Sequence, residues 1–429
     1  MRGTPSAAAL ALTAVLALVP PAGAPPADRS GDLLGRSMVL DAAAGQGVSR
    51  AAGQRASTAA GATVSIDGTA YPDPLVLAGG EPVDSIKAWE RQRRPELLAA
   101  FAEHVYGYSL PEPTDISFDD QQLSGAGDAG GRKVRITVTG PEGSASFTLR
   151  LFVPAAATPK GTFLLIDHRG SVGDDPGSSS GYAPVTTILD QGYAFAALEA
   201  EQVAPDDPGR YRSGVIDAFY PSDRELPEDA GRAISAWAWG ASRAMDYLQT
   251  DPDIDPDRVA VIGHSRGGKA ALWAGAQDTR FPVVISNNSG AAGAKLARRD
   301  ETGESIAAIT EAFPHWFPPT YQAYAGAADS LPVDQHELLA LVAPGRVVVG
   351  SATADGNADP QGEFLSYLAA APVYELYGLG DTGLSAQRWP PAEDEAFRGP
   401  GMSYHLRGGE HGLTAADWAT YLQGELFSR

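Results

Sequence analysis

The sequence contains no cysteine among its 429 residues. This absence excludes disulfide bonds, a lipid-modified N-terminal cysteine and every mechanism that depends on a thiol nucleophile. A chain without disulfides must be held together by its hydrophobic core. With 43% hydrophobic residues over this length, the chain is large enough to bury one.

Basic residues are scarce as well. The chain has 32 Lys and Arg against 53 Asp and Glu, which gives a formal net charge of −21 at pH 7. Such a field repels polyanions, so neither a nucleic-acid partner nor binding to an anionic membrane is expected. An acidic surface is also an ordinary way for a protein to stay soluble, so the global charge by itself requires no partner.

Long hydrophobic runs are absent except near the N-terminus. Arg2 precedes an apolar run over about residues 7–19, and small residues follow at 20–24. This pattern predicts a secretory signal peptide over residues 1–24, and hence a secreted protein, extracellular or periplasmic, with no membrane partner after cleavage. A membrane anchor is the alternative, but the run is shorter than the ~20 apolar residues that span a bilayer.

The segment that follows differs in composition from the rest of the chain. Residues 25–65 are rich in Ala, Gly, Ser and Arg and show no sustained apolar period. This composition predicts a low-complexity leader or linker. We therefore assign residues 66–429 to one folded domain.

Hydrophobic periodicity in that domain indicates an α/β fold. Alternating side chains predict strands at 133–139 and 146–153, which we expect to pair antiparallel. Nearly continuous apolar runs predict further strands, buried on both faces, at 163–166, 194–198, 259–262, 283–285 and 347–349. Helical stretches between them include 231–248 and 268–276. This alternation predicts a mostly parallel central sheet with helices on both faces, a three-layer sandwich.

The sequence Gly-His-Ser-Arg-Gly at 263–267 lies between an apolar run and a helical stretch. A strand, a tight turn and a helix are the context that a Gly-x-Ser-x-Gly nucleophile elbow requires in the α/β-hydrolase fold. The glycines give room to a strained serine backbone, and the positive end of the helix stabilises an oxyanion. The pattern therefore predicts an α/β-hydrolase with Ser265 as its nucleophile.

A serine nucleophile needs a base, and the chain order in this fold is serine, acid, histidine. Of the seven histidines, His411 lies in the loop after the last predicted strand, at 402–407, which is where the base belongs. His405 lies within that strand and is the alternative. The spacing of these two histidines offers no third ligand for zinc, and we expect neither a metal nor a cofactor.

The acid should follow the strand predicted at 347–349, and two aspartates do so, Asp355 and Asp359. Asp355 is nearer the end of the strand, whereas Asp359 precedes a proline, which is typical of a turn. We expect Asp355 to orient the imidazole of His411, with Asp359 as the alternative.

Arg266 follows the nucleophile directly, so its backbone N–H is the expected first donor to the oxyanion. The second donor should come from a loop after an early strand, and residues 167–171 are the candidate. The Arg266 guanidinium suits an anionic substrate or a developing oxyanion, although a solvated surface arginine is the alternative.

With these residues the chain resembles the glucuronoyl esterases, carbohydrate esterase family fifteen, which cleave methyl or lignin esters of 4-O-methyl-glucuronic acid on xylan. The elbow of that family, Gly-Cys-Ser-Arg-x-Gly-Lys-Gly-Ala, is matched by GHSRGGKAA at 263–271. The resemblance spans roughly residues 70–425. It implies that Arg266 is the oxyanion-stabilising arginine and that Lys269 binds sugar hydroxyls, with His315 and Trp316 in the substrate pocket.

One departure from the family bears on the acid. Many members carry a glutamate as triad acid after the sixth strand, whereas this chain has Asn288 there. An amide cannot orient a protonated imidazole as a carboxylate does. The resemblance therefore implies that Asp355 takes the acid role.

Together these expectations describe a serine carboxylic-ester hydrolase, a monomer, whose partner is a plant-wall polysaccharide or a small ester and whose substrate is a 4-O-methyl-glucuronoyl ester. Phe313 and Asn357 stand where family members place a glutamate and a tryptophan. Two alternatives therefore stay open. One is an acetylxylan-type deacetylase of the same fold, and the other is a catalytically weak carbohydrate-binding protein.

Overall fold

The computed structural model describes residues 63–123, 130–155, 158–178, 180–385 and 388–428. The predicted signal peptide at 1–24 and nearly all of the predicted leader at 25–65 lie outside the described residues. The first strand begins at Thr63, slightly before the boundary at 66 that composition suggested.

Twelve strands occur in the described part of the chain. In chain order they are β1 (Thr63–Ile66), β2 (Thr69–Pro72), β3 (Asp115–Gln122), β4 (Gly130–Gly140), β5 (Gly143–Val153), β6 (Thr162–Asp167), β7 (Ala194–Glu199), β8 (Val259–His264), β9 (Val283–Asn287), β10 (Arg346–Ala352), β11 (Glu395–Arg398) and β12 (Met402–Arg407).

The α-helices are α1 (Ile86–Ala88), α2 (Arg94–Phe101), α3 (Val185–Asp190), α4 (Ala200–Val203), α5 (Ile216–Phe219), α6 (Ala233–Leu248), α7 (Arg266–Gln277), α8 (Ile306–Ala312), α9 (Pro319–Gln322), α10 (Gln335–Ala340), α11 (Pro360–Leu376) and α12 (Ala415–Gln423). Single π turns, Trp89–Arg93 and Ala102–Tyr106, flank α2, and short 3₁₀ turns lie at Pro176–Ser178, Pro256–Arg258 and Ala328–Ser330.

Ten of the strands form one sheet in the order β11-β12-β10-β9-β8-β6-β7-β5-β4-β3. The six strands from β12 to β7 run parallel to their neighbours, and β11 and the β5-β4-β3 meander pair antiparallel on either side. Because parallel strands need crossovers, helices connect most of the central ones. β1 and β2 form a separate hairpin.

Alternate residues of the central strands pack into two different cores. Leu164 and Val261 face the core that α6, α7, α10 and α11 cover, whereas Leu165 and Ile262 face the core that contains Trp418 of α12. Since successive side chains of a strand point to opposite faces, these continuous apolar runs bury both faces of the sheet. The predicted mostly parallel sheet with helices on both faces is confirmed.

The predicted strands all exist, β12 with the predicted bounds and the others extended by one to a few residues, and the antiparallel pair is β4 and β5. The predicted helices correspond to α6 and α7. The edge strand β3 and the helix α11 carried no clear signal and were not predicted. Among the described residues, no helix is both long and apolar enough to cross a membrane.

Candidate active site

Ser265 lies at the turn between β8 and α7 with φ 55° and ψ −128°, a conformation that non-glycine residues rarely adopt. Strain of this kind costs of order 1–3 kcal/mol and persists only where the surroundings enforce it. The backbone N–H of Ser265 donates to the Asn287 carbonyl at 2.9 Å, which ties the turn to the end of β9. The partly exposed serine therefore stands at the head of a helix, as the elbow pattern predicts.

The glycines of the elbow are required by close backbone contacts. A Cβ on Gly263 would lie 1.9 Å from the Gly267 carbonyl oxygen, and one on Gly267 would lie 3.0 Å from that of Ile166. The first contact is impossible for any side chain. The turn can therefore be this tight only because position 263 lacks a side chain, and position 267 leaves little room for one.

His411 and Asp355 meet beside this turn. His411 Nδ1 lies 2.6 Å from Asp355 Oδ2, and this is the hydrogen bond that the His411 side chain makes among the described residues. The His411 ring centroid is 4.5 Å from that of His264, the residue before Ser265. Asp355 is buried, and His411 is exposed over 42% of its side chain. The arrangement leaves Nε2 of His411 available to take a proton.

Asp355 has further partners that keep it ionised. Asn288 Nδ2 donates to Oδ2 at 2.8 Å, and the Ala358 N–H donates to Oδ1 at 3.2 Å. Burial alone would raise the pKa of Asp355, but the hydrogen bonds from His411 and Asn288 outweigh it and lower that pKa below its ordinary value. The Asn288 side chain is thus a direct hydrogen-bond partner of the Asp355 carboxylate.

The two alternatives have other partners. Asp359 caps α11 through the Gly362 N–H and accepts from Arg299 Nε at 2.9 Å. His405 is a buried residue of β12, as predicted, and its Nε2 lies 3.0 Å from Asp417 Oδ1. None of these hydrogen bonds involves His411 or Asp355.

His264, Asn287 and Asp417 form a chain of hydrogen bonds next to His411. His264 of β8 pairs in register with Asn287 of β9. His264 Nδ1 donates to Asn287 Oδ1 at 2.8 Å, and Asn287 Nδ2 donates to Asp417 Oδ1 at 3.1 Å. A carboxylate only accepts, so the direction of the chain is fixed. Burial and the nearby His411 lower the pKa of His264 to about 3, so the ring beneath His411 is neutral.

Glu363 of α11 holds the loop that carries Asn288. This fully buried side chain accepts from the Ser289 N–H at 2.8 Å and the Gly290 N–H at 3.0 Å through Oε1, and from Ser351 Oγ at 2.6 Å through Oε2. Burial raises its pKa to about 7. With this pKa the carboxyl group is only partly ionised near neutral pH. Its hydrogen bonds, more than its charge, therefore explain why Glu363 is buried here.

Glu363→Gln should lower the free energy of unfolding by no more than about 1 kcal/mol, because the amide oxygen can accept both N–H groups while its nitrogen donates to Ser351. Glu363→Ala should cost roughly 2–5 kcal/mol, because it leaves buried N–H groups without acceptors and opens a cavity. Urea unfolding of the two variants measures the difference. Equal losses would mean that the negative charge, not the hydrogen bonds, is what the fold requires.

Arg266 is fixed by a carboxylate and two aromatic rings. Its Nη1 donates to Asp206 Oδ2, and its Cζ lies 4.5 Å from the Trp316 ring centroid and 5.1 Å from that of Phe313. A solvated surface arginine, which was the alternative, would not make these contacts. Its backbone N–H stands at the first position of α7, where no preceding helical carbonyl can accept it.

Lys269 is buried behind the nucleophile turn. Its Nζ donates to the carbonyls of Ser289 and Ala291, at 2.7 and 2.6 Å, and to Glu304 Oε2 at 3.0 Å. An ammonium has three donors, and all three are engaged by the protein. Binding of a sugar hydroxyl by Lys269 stays a prediction, and it would require one of these bonds to be exchanged.

His315 and Trp316 lie beside Arg266 and are almost fully buried. Both donate to Oδ1 of Asp206, His315 through Nε2 at 2.8 Å and Trp316 through Nε1 at 2.7 Å. Phe313 stacks on Trp316 with ring centroids 3.8 Å apart. These residues pack around the Arg266 side chain, and direct contact of His315 or Trp316 with a substrate stays a prediction.

The loop after β6, proposed for the second oxyanion donor, reaches the elbow. His168 Nδ1 lies 3.2 Å from where a Cβ on Gly267 would be. The Asp167 side chain accepts from the N–H groups of Arg169, Ser171 and Val172. Those donors are engaged, so the N–H groups of His168 and Gly170 are the remaining candidates in this loop.

Sequence reasoning missed three polar residues of the site, namely Asp206, Asn287 and Glu363. Asn287 ends an apolar strand, and a polar residue in that place was a usable signal. Asp206 lies in a sequence that resembles an ordinary acidic turn, and Glu363 lies on a helix where a solvent-facing position is the usual one. Only the tertiary packing brings these two to the site.

Known proteins share this sequence and architecture. A family model described as fungal glucuronyl esterase matches residues 136–378, more than half of the chain. A carbohydrate esterase from an unknown prokaryotic organism is 37% identical over 386 residues, which cover 82% of this chain and 88% of that protein. A 4-O-methyl-glucuronoyl methylesterase of Schizophyllum commune is 29% identical over 350 residues, 78% of this chain and 82% of the relative.

Solved structures agree with this assignment. The glucuronoyl esterase from Solibacter usitatus has a TM-score of 0.76 and 37% identity, over 84% of this chain and 98% of that one. The family model covers both Ser265 and Asp355. The chain therefore belongs to the glucuronoyl esterase family, carbohydrate esterase family fifteen, and is a carboxylic ester hydrolase with the α/β-hydrolase fold.

Proposed function

We propose that this protein hydrolyses 4-O-methyl-glucuronoyl esters on plant-wall polysaccharide through an acyl-enzyme, with Ser265 as nucleophile, His411 as base and Asp355 as the acid that orients it. The observation that carries the mechanism is the 2.6 Å contact between His411 Nδ1 and Asp355 Oδ2 beside the strained Ser265 turn. The substrate class is supported by the Schizophyllum commune relative, whose name is 4-O-methyl-glucuronoyl methylesterase.

The reaction would proceed in two halves. Ser265 Oγ attacks the ester carbonyl carbon while His411 Nε2 takes its proton, and the tetrahedral intermediate collapses as His411 returns that proton to the leaving alcohol. Water then attacks the acyl-enzyme as His411 Nε2 takes its proton, and His411 returns that proton to Ser265 Oγ as the uronic acid leaves. Asp355 stabilises the imidazolium at each stage, and its lowered pKa keeps it ionised at neutral pH.

The oxyanion would be stabilised at the head of α7. The Arg266 N–H points from the first helical position, where the helix dipole favours negative charge. The Arg266 guanidinium adds a full positive charge next to the nucleophile. Preorganised donors of this kind act where charge develops in the transition state, so they accelerate the chemical step more than they tighten substrate binding.

A second candidate function is the deacetylation of carbohydrate. The observation that favours it is Lys269, whose three ammonium donors already bind Ser289, Ala291 and Glu304. A pocket without that lysine as a sugar ligand has fewer polar groups for a uronate ring. In an acetyl ester the acyl group is a single methyl carbon next to the carbonyl, and no sugar would need to be held there.

The two candidates are separated by parallel initial-rate assays on the methyl ester of 4-O-methyl-glucuronic acid and on acetylated xylan. We expect kcat/KM for the uronate ester to exceed that for the acetyl ester by at least about tenfold, because its acyl side carries a whole sugar ring that can make contacts an acetyl methyl group cannot. The Ser265→Ala variant measures the background in each assay. Activity confined to acetyl groups would reject the uronate assignment.

We also propose that the protein is secreted. The support is the apolar run over about residues 7–19 with small residues after it, which is typical of a cleaved signal peptide. A polysaccharide substrate, which is too large to enter a cell, is consistent with that location.

A further inference from the structure

Asp206 is a charged residue beside the site that the reaction described above does not use. It lies in the loop after α4 and contacts no part of the His411 and Asp355 pair. Its carboxylate accepts three hydrogen bonds, from His315 Nε2, Trp316 Nε1 and Arg266 Nη1. Three side-chain donors on one partly buried carboxylate are more than an ordinary turn aspartate requires.

The two oxygens of this carboxylate have different partners. Oδ1 accepts from His315 at 2.8 Å and from Trp316 at 2.7 Å, whereas Oδ2 accepts from Arg266. His315 and Trp316 are 4% and 2% exposed, so they cannot turn away without repacking the core. Two buried donors therefore fix the plane of the carboxylate and turn its second oxygen toward Arg266.

The main chain around Asp206 is fixed as well. The Asp206 N–H donates to Glu201 Oε2 at 2.9 Å, and the carbonyl of Ala204 accepts from Trp237 Nε1 at 2.8 Å. On the other side, the backbone N–H groups of Ala233 and Ile234, at the start of α6, donate to the carbonyls of His315 and Trp316. Both halves of the cluster are thereby attached to the body of the domain.

The charge of Asp206 matters for Arg266. Burial alone would raise the pKa of Asp206, but the bonds from His315, Trp316 and Arg266 hold it well below its usual range, so the carboxylate is ionised. The guanidinium lies against Trp316 and Phe313, and 27% of the Arg266 side chain is exposed. A cation in such a place needs a nearby anion to remain there, and Asp206 supplies it.

We propose that Asp206 is a positioning residue for ester hydrolysis, a carboxylate that holds the Arg266 guanidinium in a fixed place beside Ser265. The inference rests on the oxyanion role proposed above for Arg266. An arginine side chain carries five N–H donors. The bond to Asp206 engages Nη1, and the other nitrogens keep donors for the developing oxyanion. The cost of ordering a long, flexible side chain is then met in the folded enzyme rather than during the reaction.

The direct test is Asp206→Asn, which keeps the shape of the side chain. The amide oxygen can still accept from His315 and Trp316. The NH₂ group then faces the N–H of Arg266, so that two donors oppose each other and no hydrogen bond forms. We expect kcat on the glucuronate methyl ester to fall about 10- to 100-fold while KM changes less than about threefold, because the lost interaction acts on the oxyanion. Asp207→Asn is the matched control. It removes the same charge from the next residue of the loop, whose side chain is 42% exposed, and should leave kcat unchanged.

A double-mutant cycle separates positioning from a structural role. Arg266→Met alone should lower kcat by about 10² to 10³, as expected for loss of an oxyanion donor. In the Arg266→Met background, adding Asp206→Asn should change kcat by less than about threefold, because the residue through which Asp206 acts is already gone. Thermal unfolding of all four proteins shows whether a change in kcat follows a loss of stability.

The outcomes are distinct. If Arg266→Met lowers kcat and Asp206→Asn does not, the positioning role is wrong and the proposed function stands. If the two effects multiply in the double variant, Asp206 acts by another route and the inference is equally wrong. If Arg266→Met leaves kcat unchanged, the oxyanion role fails and the inference fails with it, whereas loss of activity in Ser265→Ala would still support the esterase mechanism.

Discussion

Ser265→Ala is expected to lower kcat on a glucuronate ester by about 10⁴ to 10⁶, the scale on which removal of a serine nucleophile acts when its base and oxyanion donors remain. Alanine has no oxygen to attack the carbonyl, so the acyl-enzyme cannot form. Steady-state hydrolysis of the methyl ester, followed by release of the uronic acid, measures the loss. Substrate affinity should be retained, because the substitution removes only the Ser265 hydroxyl and leaves every other side chain of the site in place.

The control for this variant is its stability. The backbone at 265 has φ 55°, which is as unfavourable for alanine as for serine, so the strain stays and the melting temperature should change little. Full activity in a folded Ser265→Ala protein would contradict the nucleophile assignment for every esterase function considered above. A wild-type protein that binds xylan without turning over either ester would instead favour the catalytically weak carbohydrate-binding protein.

Asp355→Asn is expected to lower kcat by about 10² to 10⁴. Asp355 Oδ2 accepts from both His411 Nδ1 and Asn288 Nδ2. An amide nitrogen at that position would meet two donors, and an amide oxygen there would lack the negative charge that stabilises the imidazolium. With the amide nitrogen facing it, the His411 ring would favour the tautomer with its proton on Nε2, which cannot accept the proton of Ser265. Steady-state hydrolysis of the glucuronate methyl ester measures the loss.

The matched control is Asp359→Asn, the other aspartate after β10. Asp359 binds Arg299 and caps α11, and asparagine is also a good N-cap. We expect this variant to lose about 1–2 kcal/mol of stability through the weakened ion pair while kcat stays within about threefold of the wild type. A larger loss of activity in Asp359→Asn than in Asp355→Asn would reverse the choice between the two residues.

The parts of the site that the sequence predicts are those that local order determines. The nucleophile elbow is contiguous, so β8, the turn and the start of α7 follow from glycine spacing and apolar periodicity. Asp355 and His411 follow from chain order, because β10 and β12 are parallel neighbours whose carboxyl ends meet at one edge of the sheet. The parallel pairing of β10 and β12 thus brings together two loops that are distant in sequence.

The parts that the sequence did not predict depend on packing between distant elements. Asp206 meets Arg266 through a loop whose acidic sequence is typical of any exposed turn. Glu363 is an acidic residue on a helix, a pattern that usually faces water, yet α11 packs it fully against the Ser289 loop. Lys269 illustrates the opposite case. The resemblance implies that Lys269 binds sugar hydroxyls, whereas in the fold its ammonium group donates to two backbone carbonyls of its own chain. No local sequence pattern shows whether such a charged side chain faces solvent, contacts a substrate or packs inside the protein.

The two edge strands of the ten-stranded sheet bear on whether the protein aggregates in concentrated solution. An unpaired strand edge can recruit the edge of another molecule and start aggregation. On one side the outermost strand is β3, which carries Asp115, Asp119 and Asp120, and on the other it is the four-residue β11. Pairing two copies of β3 would bring like charges together, and β11 is too short to offer a long template. A chain that has no disulfides to restrain partly opened forms is thereby protected at the places where such forms would first associate.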